Sequence, residues 1–297
     1  MTPGLRTPCG CACAAALLAC GARTPLDVPS SSQSVGDGGP TSADGGPTNP
    51  VDSSVSPLDS GTPCDDGGHP EVSYVLDDVG VLDRYDVLTG NVTPLGTPDC
   101  GNDNVQWTMT ASRDKAYILY TDWTLYVVDL TTLACSQTPF QNGQLGFDFE
   151  YGIAISASSG AEKLYVYGLP SGATNPVLAV SDLTSFVLTR VGDILPAPPP
   201  STYPVNLTAD TMGHLYAFSP LGWVQEIDAA TGAVLQSKQT DVTTMTTWAT
   251  LTRGSDLYLW VESQVVGYDL ATGAHTSRFD AGVSAIGGNS VLLCASP

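Results

Sequence analysis

The sequence predicts an all-β chain that folds as a β-propeller of about five four-stranded blades, with six as the alternative count, behind a disordered N-terminal tether. A strand-like run that ends in Asp and enters a turn occurs five times. A tyrosine-centred run precedes each of these, and no segment sustains a helical period.

Residues 1–20 are expected to be a signal rather than part of the fold. Arg6 gives a positive start, and an apolar run from Cys11 to Ala19 closes in Leu17-Leu18-Ala19-Cys20. This order resembles a bacterial lipoprotein signal, in which a small residue precedes the cysteine that is lipidated and becomes the mature N-terminus. Gly21 behind it favours sorting to the outer membrane. The alternative is a metal site built on Cys9, Cys11, Cys13 and Cys20, but no His or acidic residue stands nearby to complete it.

Residues 21–68 change to Pro, Ser, Gly, Thr and Asp, with the near-copies Asp37-Gly38-Gly39-Pro40 and Asp44-Gly45-Gly46-Pro47 and no aromatic residue. Such a segment buries too little apolar surface to offset its ordering entropy, so a disordered tether is expected. Acidic tethers of this kind behind a lipidation box resemble those of myxobacterial surface lipoproteins.

Residues 69–297 hold the repeat. Its Asp positions are 86, 129, 182, 228 and 269, at intervals of 43, 53, 46 and 41 residues. The matching tyrosines are Tyr74, Tyr117, Tyr165, Tyr216 and Tyr258, which lie 12, 12, 17, 12 and 11 residues ahead. Each unit reads as an apolar lead-in such as Val205–Ala209, the tyrosine strand, the strand ending in Asp, and a Thr-rich strand beyond the turn. The Asp can accept backbone N–H bonds in its turn, where Gly90, Gly232 and Gly273 supply positive φ. Four strands in 40 to 50 residues is the proportion of a propeller blade.

The last unit pairs Leu257-Tyr258 with Val265-Val266-Gly267-Tyr268-Asp269-Leu270-Ala271-Thr272-Gly273-Ala274. This is similar to the repeats of YVTN and PQQ-type propellers; the resemblance implies the fold and carries over no catalytic residue. A WD40 signature and nicotinamide or flavin fingerprints are absent. The 227 residues from Glu71 to Pro297 divide into about five units. The first lacks an apolar lead-in, which Val283–Ala295 can supply by closing the ring. Six blades would follow if Ala281–Pro297 formed its own hairpin.

With 30 acidic against 10 basic side chains, the chain carries a formal charge of −20, which excludes a nucleic-acid binder. No run approaches the roughly 20 apolar residues of a spanning helix, so membrane contact is expected through the lipid anchor only. Without the signal, Cys64, Cys100, Cys135 and Cys294 remain. An even number in an exported chain predicts disulfides, and the favoured pairing is Cys64–Cys294 with Cys100–Cys135.

Strand direction assigns residues to the two ends of the ring. Trp107 and Trp248 begin first strands, Trp123 and Trp223 sit in second-to-third turns, and Trp260 ends a second strand, so all five indoles are expected on one face. Asp77, Asp78, Asp103, Asp122, Asp148, Glu150 and Glu262 map there too, and Arg113, Lys115, Lys163 and Arg253 map to the other. Rings with carboxylates suit a sugar or a cationic ligand; rings that only fill gaps between blades would be buried instead. Asp148 and Glu150 share one side of an extended run, which could serve acid and base hydrolysis. No metal site is expected from His69, His214 or His275, none from a calcium loop, and no Gly-x-Ser-x-Gly elbow occurs.

The expected function is a lipid-anchored, extracytoplasmic binding module, monomeric and without cofactor, on the periplasmic or outer side of the outer membrane. Its partner would be a carbohydrate, a cationic ligand or a protein at the acidic aromatic face. The alternative is a propeller hydrolase acting on an extracellular polysaccharide. The balance lies against an enzyme.

Overall fold

A computed structural model describes residues 71–147, 151–156, 161–197, 204–210, 213–243, 246–253 and 256–292, all within the compact unit Leu58–Pro297. Cys20, the tether, Cys64, Cys294, Asp148 and Glu150 lie outside the described residues.

The described strands form five separate four-stranded antiparallel sheets arranged as blades in a ring. Blade 1 contributes β1 (Glu71–Asp77), β2 (Leu82–Asp86) and β3 (Asn91–Gly96). Blade 2 is β4 (Gln106–Ala111), β5 (Lys115–Tyr120), β6 (Leu125–Asp129) and β7 (Cys135–Gln137). Blade 3 is β8 (Gly152–Ser156), β9 (Lys163–Gly168), β10 (Val177–Asp182) and β11 (Thr189–Asp193). Blade 4 is β12 (Asn206–Ala209), β13 (His214–Phe218), β14 (Trp223–Asp228) and β15 (Val234–Gln239). Blade 5 is β16 (Trp248–Arg253), β17 (Asp256–Val261), β18 (Gln264–Tyr268) and β19 (His275–Asp280). The last strand, β20 (Ala285–Leu292), does not form a sixth unit. It pairs antiparallel with β1, with Tyr74 opposite Asn289, and becomes the inner strand of blade 1. The last described strand thus meets the first, as the missing lead-in predicted.

Each blade is covered on both faces, so its middle strands are apolar without alternation; Ala116 to Tyr120 are all buried. Five hydrophobic clusters result, one between each pair of neighbouring blades. At the closing interface between blades 5 and 1, Val75, Tyr85 and Val87 meet Leu251, Tyr258 and Trp260.

A charged group sits on the same strand. Asp83 is 1% exposed, and its Oδ2 has no hydrogen-bond partner. Burial, and then the carboxylate of Asp77, raise it from 3.8 to about 6. Because the folded carboxyl titrates above the unfolded one, its contribution to stability is complete below about pH 4 and is lost as the pH rises through about 6. Asp83→Asn cannot ionise and should abolish this decline. Urea denaturation of both proteins across that range checks it; a wild type whose stability does not fall relative to that of Asp83→Asn between about pH 4 and 6 contradicts the assignment.

The repeat aspartates close their turns. The Oδ1 of Asp228 accepts the N–H groups of Ala230 and Thr231, both at 2.8 Å, and Asp86, Asp129 and Asp182 repeat the pattern. Such bonds hold Asp86, Asp129 and Asp269 below the usual carboxylate range, and the Ser185 hydroxyl, with the N–H groups of Ser185 and Thr184, holds Asp182 at about 2. The fourth residue after each Asp takes positive φ: Gly90, Gly232 and Gly273 as expected, but also Leu133 (58°) and Phe186 (53°). Those two side chains pack against neighbouring blades, which offsets the strain.

Every turn docks on the outer edge of the preceding blade. Leu133 meets Gly96 on β3, Gly90 meets Phe279 on β19, and a Cβ on Gly192 of β11 would collide with the Thr231 carbonyl. The Lys238 ammonium on β15 donates to the carbonyls of Leu270 and Ala271 at 2.9 and 2.7 Å. Gln144 joins the turn of blade 3 through the Phe186 carbonyl and the Leu188 N–H. Between blades 1 and 2 the docking is also covalent, for Cys100 and Cys135 form a disulfide with Cα atoms 5.0 Å apart.

The inner strands β20, β4, β8, β12 and β16 surround the axis, and small polar side chains close it. The Asn206 amide donates to Thr108 Oγ1 at 3.1 Å and accepts from the Thr250 N–H at 2.9 Å. Thr208 Oγ1 donates to Asn289 Oδ1 at 2.8 Å, and the Asn289 amide donates to the Ala111 carbonyl at 2.8 Å. Blade 4 is adjacent to neither blade 2 nor blade 1. The Asn206–Thr108 and Thr208–Asn289 bonds therefore cross the channel and seal it.

Candidate functional site at the channel mouth

Above this seal, on the face where inner strands begin, lies a cavity of about 360 Å³. Blade 2 supplies Val105, Gln106, Trp107, Thr108 and Thr121; blade 4 supplies Val205 and Asn206. Thr246, Thr247 and Trp248 enter from blade 5, and Ile286 from β20. Asn206 and Thr108, joined across the axis, are the floor. The two indoles are half-buried and stand on β4 and β16, either side of β20.

The predicted constellation separates into parts. Trp107 and Trp248 line the cavity, whereas Trp123 buttresses it from behind: its ring lies 6.0 Å from Trp107, edge to face, and 5.1 Å from Tyr151. Trp123 holds its place with φ of 65° and an N–H bond to the Tyr120 carbonyl. Trp223 starts β14, where its N–H donates to Ser219 Oγ, and it is not among the lining residues.

Trp260 is a correction. Its ring is 0% exposed, edge-on to Tyr85 at 4.7 Å, and its Nε1 donates to the carbonyls of Glu262 and Val283 at 2.8 and 3.2 Å. Strand direction placed the residue at the correct end of β17, but its side chain faces the neighbouring blade and serves packing.

The carboxylates have local duties. Asp77 is buried and accepts the N–H groups of Val79 and Val81 at 3.0 and 2.6 Å. Asp122 gathers Asn102, Asn104 and Thr124; burial opposes its ionisation, but bonds from Thr124 and Asn102 outweigh that and lower its pKa. Glu262 accepts from Thr246 Oγ1 at 3.4 Å. None of these lines the cavity. Acidity is also not confined to this end, since Lys115 and Lys163 on the other face lie opposite Asp129 and Asp182. The signal missed in the sequence was the Asn/Thr alternation of first strands: Thr108, Asn206 and Thr208 bond across the axis, while Thr110 and Thr252 bond to the backbone of neighbouring blades.

Elsewhere the polar clusters are internally paired. A groove of about 240 Å³ between blades 4 and 5 holds His275, whose Nε2 is 2.8 Å from Asp241, and Arg278, which donates to Gln264. His214 lies 3.1 Å from Asp210 and 3.4 Å from Glu226, and the Tyr216 hydroxyl donates to Asp210. Among the described residues no three His, Cys, Asp or Glu side chains are grouped to hold a metal ion.

No protein-family model and no curated protein matches this chain. Solved structures do. A chain in the crystal structure of a nidogen/laminin complex superposes with a TM-score of 0.51 at 13% identity, over 76% of this chain and 100% of that one. Apo AztD from Citrobacter koseri gives 0.41 at 10% identity, over 74% and 98%. At such identity the nidogen/laminin likeness shows the propeller fold alone.

Proposed function

We propose that the chain is a binding module whose channel mouth takes a small uncharged ligand, a carbohydrate first of all, without chemistry. The observation that carries this is the composition of the cavity wall. In a chain with a formal charge of −20, every lining residue among the described residues is uncharged, and two of them are half-buried indoles. An indole face matches the apolar face of a sugar ring, and amides and hydroxyls suit its rim. A cationic ligand would find no carboxylate among the described lining residues. The same proposal holds the module on the outer membrane through Cys20, on the strength of Leu17-Leu18-Ala19-Cys20; absence of palmitate labelling from the wild type would refute that part.

Glycan-array screening followed by titration of the hits tests the site. Trp107→Ala and Trp248→Ala should each weaken binding about tenfold, or about 1.4 kcal/mol, in line with the loss of one stacking face. Trp223→Ala, outside the lining, should bind as the wild type does. Equal binding by all four proteins would remove the mouth from consideration.

A further inference from the structure

We infer that the channel mouth recognises the terminal ring of a glycan end-on, and that this ring is neutral; the inference rests on the carbohydrate reading above. A propeller channel open at both ends could thread a chain, and a groove across its face could hold several rings side by side. This one is a pit. Its floor is the Asn206–Thr108 bond across the axis, with Thr208–Asn289 forming a second bar beneath, and all four side chains are buried.

Walls stand around the floor. Trp107, Ile286 and Trp248 follow one another on blades 2, 1 and 5, and Val205 faces them from blade 4. The volume of about 360 Å³ suits one or two sugar rings. A closed floor admits only the end of a chain, so the terminal ring enters first and rings beyond the second project out of the mouth.

The floor also selects against charge. Asn206 spends its carbonyl on Thr250 and one amide hydrogen on Thr108, which leaves neutral hydroxyl and amide groups to meet the ring. Among the described residues no lining side chain is cationic, and the net charge of −20 repels acidic sugars. Chains that end in a uronate or a sialate are therefore excluded.

The test uses the full chain on an array of linear glycans that share inner sequences but differ in their terminal residue, followed by titration of free monosaccharides. Hits should share one neutral terminal residue. That residue as a free sugar should compete, and lengthening the chain from two rings to four should change the Kd by less than about threefold. Capping the terminal ring, or removing it with an exoglycosidase, should abolish binding. Affinity that grows tenfold or more with chain length, or that survives capping, would show an extended groove and overturn the end-on inference while leaving the carbohydrate reading intact. An array without hits sensitive to Trp107→Ala and Trp248→Ala sinks both.

Discussion

Trp260→Ala is expected to cost about 3–5 kcal/mol of stability and to leave ligand binding intact in whatever fraction remains folded. The ring has no exposure, packs edge-on against Tyr85 and bonds through Nε1 to two carbonyls, so its loss leaves a cavity and unmet acceptors together. Its location raises the stakes. The interface between blades 5 and 1 closes the ring, and the cluster there joins strands from the two ends of the described chain. Trp260→Phe should lose less, since a ring is kept and only the Nε1 bonds go. Denaturant melts of the two variants decide the matter. A loss below about 1 kcal/mol in Trp260→Ala would return the residue to the rim.

What the sequence disclosed and what it hid have the same physical cause. A blade has a period because each needs four strands, one tyrosine strand and one Asp turn, and that period is visible in Asp86, Asp129, Asp182, Asp228 and Asp269. Ring closure was visible as well, because blade 1 lacked a lead-in. Both faces of each blade are covered, however, so its strands lack the polar alternation that shows which way a side chain points. Leu257, Tyr258, Leu259 and Trp260 are all buried, and nothing in that run marks which residue leaves the mouth. Trp107 and Trp248 differ because they begin inner strands, where the neighbouring blades diverge around the axis. The carboxylates misled for another reason: Asp77 and Asp122 were assigned to the proper face, but their lone pairs are taken by backbone and amide N–H groups of their own loops. The floor was hidden by ring geometry. Asn206 reaches Thr108 across 98 residues of sequence, and only a ring of five brings blades 2 and 4 within one side chain of each other.

Replacing both Cys100 and Cys135 by Ser should lower stability by about 2–4 kcal/mol. The bond closes a separation of 35 residues, for which the chain-entropy model gives about 4 kcal/mol, and the upper part of the range applies if the native state loses no contacts with it. At about 2–4 °C per kcal/mol for a domain of this size, the melting temperature should fall by on the order of 10 °C. Cys100 lies in the crossover after β3, and Cys135 opens β7 just past the Asp129 turn. They meet because the turn that begins at Asp129 docks on β3 through Leu133 and Gly96, which carries the start of β7 to the crossover. The same docking without a covalent bond serves the other interfaces, so the blade 1 and 2 interface should weaken in the variant without coming apart. Calorimetry of the double variant, beside the wild type under reducing conditions, measures the effect. If both melt within about 1 kcal/mol of the oxidised protein, the Leu133 docking alone holds that interface and the disulfide contributes little.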